Sequence, residues 1–179
     1  MAPPSIVNDL LAASGSGFVL ISILLTWYNV TITALGVQFY ESIERAFLAR
    51  LFPQAAPGIG GLSGPLTLSI SALDKAAGGW RWAILVVSIV ILLEVLVALS
   101  TGASRQSSPP LPHSTVLMVL TFANLVLVVA AFVNLPYGGA PVSYLIVARG
   151  VGAYLGLVAA LVACGGAAVG LIKSSPGTP

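Results

Sequence analysis

"VSIVILLEVLVALS", residues Val87–Ser100, decides what kind of chain this is. Glu94 and the serines at positions 88 and 100 are its only non-aliphatic residues, and nothing in it alternates as a strand would. A run of this kind is comfortable in hydrocarbon, where the backbone must satisfy its own hydrogen bonds and a helix does so. The rest of the chain agrees. Hydrophobic residues make up 58% and charged residues 7%, with a mean hydropathy of +1.04. A soluble domain carries about 25% charged residues, so this chain cannot cover itself with a polar surface.

Four apolar blocks approach the roughly 20 residues that cross a bilayer. They run over 10–28, 82–99, 115–135 and 147–172. The fold class read from them is an all-α membrane protein of four transmembrane helices, one domain over residues 1–179. Trp27 and Tyr28 close the first block, and Trp80 and Trp82 open the second, as aromatic rings do at a membrane–water interface. The first block reads as an anchor rather than a cleaved signal. The segment leading into it has no basic residue, Asp9 being its only charged side chain, and no clear small-residue cleavage site follows the block.

The connections differ. "TGASRQSSPPLPHS" is a polar, proline-rich loop and "PYGGAPVSY" a tight turn region. Residues 29–79 form a longer segment outside the membrane, with structure of its own. "NVTITALG" and "PLTLSISAL" predict two short strands. Between them, Phe39, Ile43, Phe47 and Leu51 share one face of a helix, and Glu41 is placed to meet Arg45. This predicts a hairpin-plus-helix cap, with an amphipathic helix lying on the lipid surface as the alternative.

A combination of short motifs resembles small four-helix membrane proteins of actinobacterial type. The matching residues are Trp27-Tyr28 after the first helix, Ser71-Ala72 before the second, and Gly152-Ala153-Tyr154-Leu155-Gly156-Leu157 in the fourth. The extra helix in the first loop departs from that pattern, as does Leu73 where an aromatic usually stands. The resemblance implies topology and no activity, and it implies that both termini face the cytoplasm. Basic residues argue the other way, since Arg45, Arg50, Lys75, Arg81 and Arg149 share the side of the long loop. A claudin-like plan is similar in architecture, but a single cysteine cannot form that group's loop disulfide.

Little here points to chemistry. His113, in the polar loop, reads as solvated, and Cys164 reads as a small hydrophobe in a helix. One histidine and one cysteine make no zinc site and no cysteine–histidine nucleophile. "GIGGLSG" lacks the lysine of a phosphate loop, and a net charge of +2 does not call for nucleic acid. No cofactor and no enzymatic activity are expected.

Two features remain. Gly152, Gly156, Ala159, Ala163, Gly166 and Gly170 form a small-residue seam along the fourth helix, which must meet another helix, within the chain or in a second copy. Glu94 lies about 9 Å from Ser100 at 1.5 Å per residue, at a depth shared by Ser16 and Thr121, with Asn124 about a turn deeper. No Lys or Arg is available there. The residues predict a neutral acid acting as polar glue between helices, with a proton or cation relay as the sharper alternative. The functional expectation is a non-catalytic scaffold or accessory subunit in the cell membrane, meeting lipid and a membrane-protein partner or a second copy. The alternative is a small transporter or channel protomer built on Glu94, Thr121 and Asn124.

Overall fold

Hydropathy places the helices, and packing decides where they begin and end. A computed structural model describes residues 4–51, 65–74, 81–101, 112–136 and 143–174. In chain order the elements are α1 (Pro4–Leu24), β1 (Thr26–Ile32), α2 (Ala34–Leu51), β2 (Leu66–Ser71), α3 (Trp82–Thr101), α4 (His113–Val133), β3 (Leu145–Arg149) and α5 (Val151–Ser174). The described residues are 75% helical, with four helices long and apolar enough to span a membrane and a small three-stranded sheet among them. The long helices close a ring in which α1 and α4 each touch both α3 and α5.

The sheet corrects the all-α reading. Its order is β2-β1-β3, antiparallel throughout. The two strands expected from the first loop are β1 and β2, while β3 stands where the sequence predicts a turn and the start of the fourth helix. Its apolar residues run on into those of α5, so hydropathy shows one continuous block from 147 to 172. Gly150 is the break. A Cβ there would lie 2.3 Å from the Thr26 carbonyl oxygen, and the Gly150 amide donates to the Trp27 carbonyl at 2.7 Å. Helix α5 therefore starts at Val151 and not at Val147.

The first block is corrected in the same way. Helix α1 stops at Leu24, and Trp27 and Tyr28 belong to β1, both fully buried. They are core residues and not lipid-interface anchors. Neighbouring side chains of a regular strand point to opposite faces. Here the pairing steps from Thr26↔Ser71 to Tyr28↔Ile70, so Trp27 is an extra residue that bends the strand and lets both rings turn inward.

Helix α2 rises straight from the sheet. Thr33 caps it: the Gly36 amide donates to Thr33 Oγ1 at 3.1 Å, and that hydroxyl donates to the Ser143 carbonyl at 2.6 Å. Gly36 is required by close approach, since a Cβ would fall 2.4 Å from the Tyr144 carbonyl oxygen. Phe39 stacks at 5.1 Å on Tyr144. Yet Phe39 and Ile43 remain 51% and 52% exposed, so the predicted apolar face is not packed on the bundle. The surroundings of Phe47 and Leu51, the Glu41–Arg45 pairing, Trp80 and the return loop from Pro53 lie outside what is described.

The bundle interior has two apolar clusters. Val19, Ile23, Ile84, Val128 and Ala160 gather toward the sheet, and Ala12, Ile91, Leu117 and Ala167 toward the other end. Between them, on three different helices, come Ser16, Ser88, Thr121 and Asn124, all buried. The middle of the bundle is therefore polar.

Candidate functional site

The small-residue seam of α5 faces α1 and the start of the sheet. Gly152 and Gly156 make room for an indole: a Cβ on either would come within 2.9 Å of the Trp27 ring. Trp27 Nε1 donates to the Ser22 carbonyl at 2.7 Å, so the ring's one polar atom is satisfied. Further along, Ala159 and Ala163 meet Gly15, while Gly166 meets Leu11, Ala12 and Asn8. Gly170 is looser, its nearest neighbour being Asn8. These contacts lie within the chain. The "SGSG" of the first block, which supplies Gly15, was the sequence signal for this partner.

At the sheet end, two arginines reach the C-terminus of α4, a helix with no basic residue in its own last turn. Arg81 Nη2 donates to the Asn134 carbonyl at 2.6 Å, and Arg149 Nε to the Phe132 carbonyl at 2.9 Å. Cations suit this end of a helix because its last carbonyls are unpaired and carry partial negative charge. Arg81 also lies over the Tyr28 ring and Arg149 over the Phe132 ring, at 4.8 and 4.6 Å. The Tyr28 hydroxyl donates to the Ala131 carbonyl. Burial pushes the Tyr28 phenol up, while Arg81 and then Arg149 pull it down. Burial likewise pushes the Arg81 guanidinium down. Together these contacts fasten the sheet to the bundle.

The opposite end holds the carboxylate that stood out in the sequence. Glu94 meets neither Ser16 nor Thr121. Its Oε1 shares a hydrogen bond of 2.9 Å with His113 Nδ1. On the other side of the same ring, Nε2 lies 3.5 Å from Asp9 Oδ1. His113 is the first residue of α4 and not part of a solvated loop. The relative levels of the helix ends bring these groups together. Helix α4 starts at His113, ahead of the expected block at 115, and follows Pro112, whose carbonyl accepts from Thr115 and Val116. Helix α3 runs on about two turns past Glu94, so its end stands above that of α4. On α1 the start at Pro4, rather than Leu10, brings Asp9 into the helix.

The other predicted polar residues lie deeper and apart from Glu94. Thr121 Oγ1 donates to carbonyls of its own helix, Leu117 at 2.9 Å and Met118 at 3.1 Å. Asn124 Nδ2 donates to Ser88 Oγ at 3.0 Å, joining α4 to α3. Ser88, a single serine in an apolar run, gives no sign in the sequence of this partner. Ser16 Oγ and Asn124 Oδ1 are buried without a hydrogen-bond partner among the described residues.

Asp9 and Glu94 approach opposite nitrogens of one ring, so the three side chains do not converge on a point. Among the described residues, no group of His, Cys, Asp and Glu is placed to hold a metal ion. What an imidazole between two carboxyl groups can do is accept a proton at one nitrogen and release one at the other. No protein-family model, curated protein or solved structure matches the chain.

Proposed function

We propose that the protein is a non-catalytic membrane protein serving as a scaffold or accessory subunit of a membrane complex, with α2 as the element that meets the partner. One observation carries the reading. Leu35, Phe39, Tyr40 and Ile43 lie on a helix that is not one of the four candidate spans, and each is more than half exposed. Apolar side chains presented this way, on a helix capped and pinned to a sheet, are a reason to expect a protein contact. The α5 seam is occupied by α1 within the chain, which leaves α2 as the better-placed contact. Placing the sheet outside the cell, with both termini in the cytoplasm, belongs to the same proposal.

Purification of the tagged protein from its native membrane in mild detergent tests the reading. A stoichiometric membrane-protein partner should co-purify with the wild type and be lost from a Phe39→Ser, Ile43→Ser double variant that keeps its thermal stability. Recovery of the chain alone from both would overturn it. Orientation is read from Ser63→Cys in a Cys164→Ala background. Labelling of intact cells by an impermeant reagent is expected, and labelling only after lysis would reverse the orientation.

A second reading, a small transporter or channel protomer, is favoured by the polar middle of the bundle. Ser16 and Asn124 each carry a buried polar atom with unused hydrogen-bonding capacity, which a passing water or ion could use. Ion flux through liposomes holding the purified chain, abolished by Asn124→Leu, would favour this reading over the first.

A further inference from the structure

Asp9, His113 and Glu94 come from three different helices and meet at the end of the bundle away from the sheet. We propose that they form a proton-exchange site, in which Glu94 trades protons with the surroundings and Asp9 is the buried group that stores them. The proposal does not depend on the scaffold reading, which rests on the opposite end of the molecule.

The two carboxyl groups are not equivalent. The Glu94 side chain is 33% exposed, and that of Asp9 is 9% exposed. The imidazole stands between them at 13% and is the link from the accessible acid to the enclosed one. A purely structural bridge would use up the hydrogen-bonding capacity of the buried partner. Here Asp9 Oδ2 and His113 Nε2 are both buried without a hydrogen-bond partner among the described residues. The inner half of the cluster therefore has an unused acceptor next to an unused ring nitrogen, where a proton can be received.

The transfer balances on the residues present. A proton on the Glu94 carboxyl passes to His113 Nδ1 as the proton on Nε2 passes to Asp9 Oδ1. One O–H and one N–H bond break, one of each forms, and negative charge moves from Asp9 to Glu94. The ring ends neutral, with its tautomer reversed. The gap of 3.5 Å on the Asp9 side must shorten to about 2.7–3.2 Å for that second transfer, which asks for a small shift of α1 against α4. The described titratable groups at this end are Asp9 on α1, Glu94 on α3, His113 on α4 and the exposed Lys173 in the last turn of α5. The protons belong to the coupled cluster rather than to one residue.

His113 is the only histidine in the chain, so 15N-histidine labelling of the full-length protein in lipid nanodiscs reports on this ring alone. The wild-type ring nitrogens should respond reversibly between about pH 5 and about 8. Exchange of the ring N–H with water should slow at least about tenfold in Glu94→Gln, because a positioned proton donor contributes about 10²- to 10⁴-fold. Asp9→Asn should change the pH response of the ring, because an amide at that position cannot take up the proton that the carboxylate receives. Should Glu94→Gln fail to fold, Glu94→Asp, whose carboxyl is withdrawn by one methylene, should exchange at an intermediate rate. A ring that is static across the pH range would make the cluster a structural bridge and overturn the proposal. Exchange within twofold of wild type in the folded Glu94 variant would overturn it as well, since protons would then arrive by another route.

Discussion

Gly15 on α1 faces Ala163 on α5 with no space for a methyl group between them. A Cβ at Gly15 would stand 2.8 Å from the Ala163 Cβ and 2.7 Å from its backbone nitrogen. Two turns of backbone are thus in direct contact in the interior. In lipid, where apolar helices gain little by leaving the hydrocarbon, such close approach is what holds a pair together.

Single methyl groups should therefore separate contact from non-contact faces. Gly15→Ala should destabilise the protein by about 1–3 kcal/mol through overpacking, whereas Gly17→Ala, with nothing within 4 Å, should be neutral. The adjacent pair on α5 gives the same contrast with a larger probe: Gly166→Leu should disrupt packing and Gly165→Leu should not. Thermal unfolding in detergent reads all four. Equal behaviour of Gly165→Leu and Gly166→Leu would mean that the seam does not face α1.

Arg81 both stacks on Tyr28 and donates to the Asn134 carbonyl, at only 2% exposure. A lysine keeps the charge but cannot make a planar stack and a directed hydrogen bond together. Arg81→Lys should cost about 1.5–3 kcal/mol, the range for hydrogen bonds to charged groups. Hydrogen exchange of the β1 amides should rise in the same variant. Unchanged stability and exchange would show that the arginine does not fasten the sheet to α4.

Tyr28 links stability to alkaline pH. Its phenol is pushed above the ordinary value of 10.0 by burial. The stability that comes from keeping it neutral is fully present below 10.0 and is lost as pH rises through the raised folded value. Tyr28→Phe should cost about 0.5–1.5 kcal/mol at neutral pH through the lost bond to Ala131. The difference between wild type and variant should then shrink above about pH 10. Unfolding measured across that range, with tyrosinate absorbance as the monitor, checks it. A constant gap would mean that the phenol titrates alike in the folded and unfolded chains and is not raised by burial.

The Asn124–Ser88 bond invites a double-mutant cycle. Interhelical hydrogen bonds in membranes average about 0.6 kcal/mol, with a maximum near 1.7. Asn124→Leu and Ser88→Ala should therefore show a coupling of about that size, small for so buried a pair. Additive effects of the two substitutions would show that the contact contributes nothing to stability.

The sequence by itself determined the four apolar helices, the strands β1 and β2, and the small-residue stripe on α5. Each depends on a property summed along one segment: apolar content for a span, alternation for a strand, side-chain size at helical spacing for a seam. Such properties survive any arrangement of the neighbours. Tertiary structure alone decided what each feature meets. Trp27 and Tyr28 looked like lipid anchors because aromatic residues end many spans, and a one-residue bulge in β1 turned both into the core. Strand β3 was hidden because its apolar residues merge with those of α5, and only pairing with β1 separates them. Glu94 was legible as an anomaly, but its partner was not. That depended on how far α1, α3 and α4 slide along one another, a quantity set by packing and invisible to any count along one helix. The offset of those three ends brings Asp9, His113 and Glu94 together, because a shift of a few ångströms along a helix axis is enough to exchange one polar neighbour for another.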